Sequence, residues 1–258
     1  MPVSGQQPKV RGIATYGWRP DLPDIRDRQY SATAPKATQL PNATDLRPKC
    51  PPVYDQGQLG SCTANAIAAA VEFCELENMT MPSRLFIYYN ERVIEGTINT
   101  DSGAQIRDGM KSVATQGVCP ESEWPYIITK FSQQPFKQCY DDALKTEATQ
   151  YLSLQQDLTQ LKTCLAEGFP FVFGFTVYES FESQAVAQSG VLNMPDASEK
   201  IVGGHAVMAV GYDDAASRVL IRNSWGTDWG MAGYFTMPYN YITDGDLASD
   251  FWTVRQVS

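Results

Sequence analysis

Gln56-Gly57-Gln58-Leu59-Gly60-Ser61-Cys62, followed at once by Thr63-Ala64-Asn65-Ala66-Ile67-Ala68-Ala69-Ala70-Val71, decides how this chain is read. A glycine-broken loop feeds a run of strong helix formers, so a helix should open at the cysteine. Unpaired backbone N–H groups and the positive dipole end favour a thiolate there, which is how a cysteine becomes a nucleophile. Such a thiolate needs a base, a group to orient the base, an oxyanion site and a groove for substrate.

Outward from that stretch, the first half reads as helical. The cysteine-bearing helix should run from 61 to about 78. A second should begin at Pro82-Ser83-Arg84 and stop at Gly96, and a third should span 104–116 with Ile106, Met110 and Val113 on one face and Gly117 closing it. Another should span about 155–167, with Leu158, Leu161 and Leu165 inward and Gly168 at its end. After Gly168 the period changes. Short runs of strand formers at 171–177, 205–212, 218–222, 233–236 and 251–254 are bounded by turn residues. Helices first and strands second, without strict alternation, predict an α+β fold of two unlike lobes with a cleft between them.

Composition narrows the function. The net charge of −9 argues against nucleic-acid binding, and no apolar run approaches a membrane span or a signal-peptide core. A soluble protein is expected, cytoplasmic by default or released by a route without an N-terminal signal peptide. The charge is uneven: residues 1–40 carry five prolines and a net +3, leaving −12 on the rest. They read as an extended leader anchored by Tyr16, Trp18 and Tyr30 on an acidic body. Of the six cysteines, Cys74 and Cys164 fall at apolar helix positions and should be buried and reduced. His205 is the single histidine, and without a CxxC pair no metal site or cofactor is expected.

His205 lies 143 residues beyond Cys62 and is expected to open a strand after Gly203-Gly204, facing the cleft. Asn223-Ser224-Trp225-Gly226-Thr227-Asp228-Trp229-Gly230 follows eighteen residues later. The Asn223 amide can hold one imidazole nitrogen and leave the other toward sulfur, while Trp225 shields that bond from water.

These segments resemble the papain family of cysteine peptidases, a pattern whose cysteine motif and distance to histidine are well known. Gln56, Gly60-Ser61-Cys62, Gly204-His205-Ala206-Val207 with Val210-Gly211-Tyr212, and Asn223-Ser224-Trp225-Gly226-Thr227 with Trp229-Gly230 and Gly233-Tyr234 agree with it in order and spacing over residues 45–236. The resemblance implies a papain-like domain over 41–258, with a helical lobe at about 55–150 and a β-barrel-like lobe at about 165–258. It implies Cys62 as nucleophile, His205 as its partner and acid, Asn223 as orienter, and Gln56 with the Cys62 backbone N–H as oxyanion site. Gly60 and Gly204 would line the groove, and Trp225 and Trp229 its leaving-group side. Ser102 and Gly103 would stand where the family has a glycine pair that bonds substrate backbone. Ala206 and the region 247–251 would wall the specificity pocket.

Two departures mark the motif: Leu59 replaces the family's cysteine three residues before the nucleophile, and Thr63 replaces the tryptophan after it. The short leader resembles that of bacterial, xylellain-like members and is expected to inhibit the enzyme from the cleft or its rim, with a boundary before Thr44. The implied activity is peptide-bond hydrolysis by a monomer acting on polypeptides. A thiol acyl transferase, deamidase or isopeptidase could use the same residues, and a noncatalytic scaffold would have no use for all four.

Overall fold

The computed structural model describes residues 15–30, 40–75 and 81–257. In chain order the elements are β1 (Ala43–Asp45), α1 (Cys62–Cys74), α2 (Arg84–Glu95), α3 (Ile106–Thr115), α4 (Lys137–Ala143), β2 (Gln150–Ser153), α5 (Leu158–Ala166), β3 (Phe171–Tyr178), α6 (Gln184–Ser189), β4 (Ile201–Asp213), β5 (Arg218–Arg222), β6 (Tyr234–Pro238), α7 (Tyr239–Thr243) and β7 (Ala248–Gln256). Helices dominate the first half and strands the second, as the change of period predicts.

The pivot is α1. Cys62 through Val71 are all buried, so this helix has no solvent face. It packs against α2 and α3 on one side and against β3, β4 and β7 on the other. A helix apolar all round belongs in a core, and its five alanines let both lobes approach closely. The strands form one antiparallel sheet in the order β2-β7-β3-β4-β5-β6, with β1 paired to residues 211–213 of β4, beyond the stretch that β3 covers.

Boundaries differ from expectation in instructive ways. The first helix ends at Cys74, and residues 76–80 lie outside the described part. Cys164 is buried, but Cys74 is only half-buried beside the Val254 carbonyl. His205 does not open its strand: β4 begins at Ile201, because Gly203 and Gly204 already pair with Val177 and Thr176 of β3. The histidine therefore stands inside a ladder, where its backbone cannot drift.

The described leader crosses the body and is pinned at several points. Tyr30 N–H donates to Ser153 O at 2.7 Å, and the Tyr30 hydroxyl donates to Glu167 at 2.8 Å. Arg107 of the body holds Asp27 in an ion pair at 2.7 Å. Its main-chain N–H donates to Asp21, and Trp252 Nε1 donates to the same carboxylate. Among the described residues, leader acids on a body arginine make these contacts, alongside a pair between leader Arg19 and body Glu95. Arg26 turns back to Asp24 within the leader, so a net charge does not tell which residues face the body.

Candidate active site

Cys62 is the first residue of α1, fully buried, and its sulfur accepts hydrogen bonds from the backbone N–H groups of Thr63, Ala206 and Gly17. The Ala206 contact sets the sulfur beside the residue that follows His205. The Gly17 contact comes from the leader. Burial dominates these donors and pushes the thiol up to about 12.

His205 is fully buried, and its Nε2 lies 2.8 Å from Asn223 Oδ1. That amide oxygen also accepts from the Ser224 backbone N–H at 2.8 Å, which fixes which way the amide faces. Nε2 is thus the donor of the pair and carries the proton. Trp225 covers the ring with centroids 5.1 Å apart. Trp229 stacks edge-on behind Trp225 at 5.1 Å and is buried against Phe181 and Phe235, so it stiffens that wall from behind.

Gln56 is buried in the loop before α1. Ser224 Oγ donates to its Oε1 at 2.6 Å, and Nε2 spends one hydrogen on Leu59 O at 3.0 Å. The backbone repeats the link, since Gln56 N–H donates to Ser224 O at 2.9 Å. Tyr126 supports the same loop, donating to Gln56 O at 2.8 Å and meeting Ser61 Oγ at 2.5 Å. Asp101 accepts the Gly60 N–H and the Tyr88 hydroxyl. Thr63 donates to the buried Glu91 at 2.6 Å.

The leader fills the groove these residues border. Trp18 N–H donates to Gly204 O at 3.0 Å; Ala104 N–H donates to Gly17 O at 2.7 Å and Arg19 N–H to Ala104 O at 3.1 Å. The leader's backbone is thus bonded next to the expected Ser102-Gly103 pair, at Ala104. Ser102 turns its hydroxyl to the Gly103 carbonyl. Gly103, at φ +68°, lies so close to Gly17 that a Cβ would fall 2.0 Å from the Gly17 carbonyl oxygen. Gly60 touches Gly17 from the other wall.

Trp18 occupies a slot made by missing side chains: a Cβ on Gly174 or Gly204 would come within 1.9 Å or 2.6 Å of its indole. Asp250 floors the slot and accepts Trp18 Nε1 at 3.0 Å from a backbone held at φ 61°. The region 247–251 thus supplies a pocket residue. Ser224, Tyr126, Ala104 and Asp250 were not singled out from sequence; only Ser224, inside the asparagine segment, carried a local signal.

Residues 40–252 match the family model described as papain family cysteine protease. The chain belongs to the papain family of cysteine peptidases. The peptidase is 47% identical over 94% of its length to an uncharacterised peptidase C1-like protein of Acanthamoeba polyphaga mimivirus, of which 87% is covered. It is 31% identical over 77% of its length to cathepsin B-like CP3 of Giardia intestinalis, covering 69% of that protein. Among solved structures, xylellain, a cysteine protease from Xylella fastidiosa, superposes with a TM-score of 0.90 at 45% identity, covering 99% of this chain and 100% of that one. The family is one of hydrolases that cleave polypeptides, and among the described residues no helix is long and apolar enough to cross a membrane.

Proposed function

We propose that the chain is a cysteine endopeptidase whose nucleophile is Cys62 and whose general base and acid is His205, held dormant by its own leader. The observation that carries this reading is the chain of contacts Asn223–His205–Ala206–Cys62 at the start of a buried helix, with Gln56 tied to the same asparagine segment through Ser224. Asn223 holds the proton on Nε2, so Nδ1 is the basic nitrogen that takes the thiol proton. The thiolate attacks the substrate carbonyl, and the oxyanion is met by the Cys62 backbone N–H and the second hydrogen of Gln56 Nε2. The imidazolium returns its proton to the departing amine, a thioester remains, and water hydrolyses it.

The leader's geometry supports inhibition without cleavage. Its Gly17 presents an N–H to the sulfur, so the thiol faces a proton donor instead of a carbonyl carbon. Tyr16, bonded to Glu182 at 2.7 Å, stands edge-on to His205 with ring centroids 6.0 Å apart. Residues 1–40 would form the inhibitory segment and 41–258 the peptidase domain. The boundary expected before Thr44 lies where β1 begins at Ala43, and of the stretch leading to it residues 31–39 fall outside the described part. The test is cleavage of a mixed peptide library by the full chain and by the chain freed of its leader. Hydrolysis that rises on leader removal and vanishes in Cys62→Ala supports the reading; transfer to an added amine in place of hydrolysis would move it to an acyl transferase.

A further inference from the structure

Three of the six cysteines satisfy their thiols on main-chain carbonyls: Cys50 on Leu46 O, Cys74 on Val254 O and Cys164 on Phe169 O. Cys119 and Cys139 behave differently. Both are buried, at 0% and 2% exposure, and their thiols hydrogen-bond to each other. Cys119 lies in the loop after α3, anchored where its carbonyl accepts the Ser83 N–H at 2.8 Å, and Cys139 lies in α4. The Glu123 carboxylate falls within 4.8 Å of both sulfurs.

We propose that Cys119 and Cys139 close into a disulfide that locks both ends of the segment 119–139 onto the helical lobe. Two buried sulfurs within 4.8 Å of each other are placed to join with little movement, whereas two sulfurs and one exposed carboxylate fall short of the four donors of a structural zinc site. The enclosed segment carries Tyr126, which supports the loop leading into Cys62, Glu121, which pairs with Arg84 at 2.6 Å, and the Phe131 carbonyl, which accepts from buried Arg92. Fixing its ends removes freedom chiefly from the unfolded chain. The inference stands apart from the peptidase reading, since it needs no turnover by Cys62.

The oxidant is a small-molecule disulfide such as oxidised glutathione. One cysteine thiolate attacks it, forming a mixed disulfide and releasing one glutathione thiol. The thiolate of the second cysteine then attacks the first cysteine's sulfur, breaking its bond to glutathione and releasing the second glutathione thiol, so two protein thiols are oxidised as one disulfide is reduced to two thiols. Burial raises the Cys119 thiol well above its ordinary range, so exchange in the native chain should be slow.

The test uses the full chain carrying Cys62→Ala, equilibrated with a reduced and oxidised glutathione mixture, alkylated and digested with trypsin. The expected product joins peptide 112–130 to peptide 138–145, with two hydrogens lost. The oxidised chain should unfold about 5–10 °C above the reduced one, a difference that Cys119→Ser abolishes. If the native chain reacts too slowly to measure, the same assay on chain refolded in that buffer decides. Alkylation of both thiols after oxidation, a cross-link to another cysteine, an unchanged midpoint, or a stoichiometric zinc ion shielding the pair would each overturn the proposal.

Discussion

Ser224 ties the two sides of the cleft together. Its backbone N–H fixes the Asn223 amide, its carbonyl accepts the Gln56 N–H, and its hydroxyl holds the Gln56 side chain. Removing the hydroxyl frees the Gln56 amide to rotate, so Ser224→Ala should lower kcat about tenfold with KM little changed, because the lost alignment matters mainly in the transition state. Gln56→Ala removes the donor itself and should cost about 10²–10³ in kcat; steady-state kinetics on one peptide separates the two effects. Glu91 is a second residue with a readable consequence. Burial pushes its carboxyl up to about 8 against one compensating bond from Thr63. A carboxyl raised on folding binds its proton more tightly in the native state, so its contribution is fully present at acid pH. It is lost as pH rises from the ordinary carboxylate range through about 8. Glu91→Gln should flatten that loss, measured as unfolding midpoints across the pH range.

Among elements, the leader and the loop before α1 are held by opposite means. Asp21 of the leader and Asp250 of the slot are both half-buried; burial raises each, and the Asp250 charge raises Asp21 further, so the docked pair favours sharing a proton. Docking therefore takes up a proton and should be strongest at acid pH, weakening toward neutrality as both carboxylates ionise. Asp21→Asn should make peptidase activity of the full chain less dependent on pH across that interval. The loop before α1 rests instead on Arg84, bidentate to Glu121, bonded to Asp55 O and Asn65 Oδ1, and stacked 4.0 Å from the Tyr126 ring. Arg84→Ala leaves Glu121 without its partner and the loop without its brace, and should cost about 3–5 kcal/mol by denaturant unfolding.

Across the whole molecule, what was legible in the sequence was what is encoded by neighbours in the chain. Gln56, Cys62, His205 and Asn223 sit in local signatures, and α2 and α3 carry a stop at Gly96 and Gly117. The short helices α4, α6 and α7, of 7, 6 and 5 residues, are too brief to show a period. That Ala104 meets the leader's backbone, next to Gly103, is a matter of tertiary register. Asp250, Tyr126 and the Arg84 brace depend on contacts made far along the chain, which no local pattern announces. The leader's path in the groove and its aromatic anchors Tyr16, Trp18 and Tyr30 could be read from composition, whereas the pairing of its acids with Arg107 could not. The central claim is that Cys62 is a nucleophile masked by Trp18 and its neighbours, and the rate of modification by a thiol-directed peptide affinity probe tests it most directly. In the full chain the label should fall on Cys62 alone among the six cysteines, slowly in the wild type and at least about tenfold faster in Trp18→Ala, which empties the slot at Gly174 and Gly204. Labelling at another cysteine, or equal rates in the two chains, would contradict it.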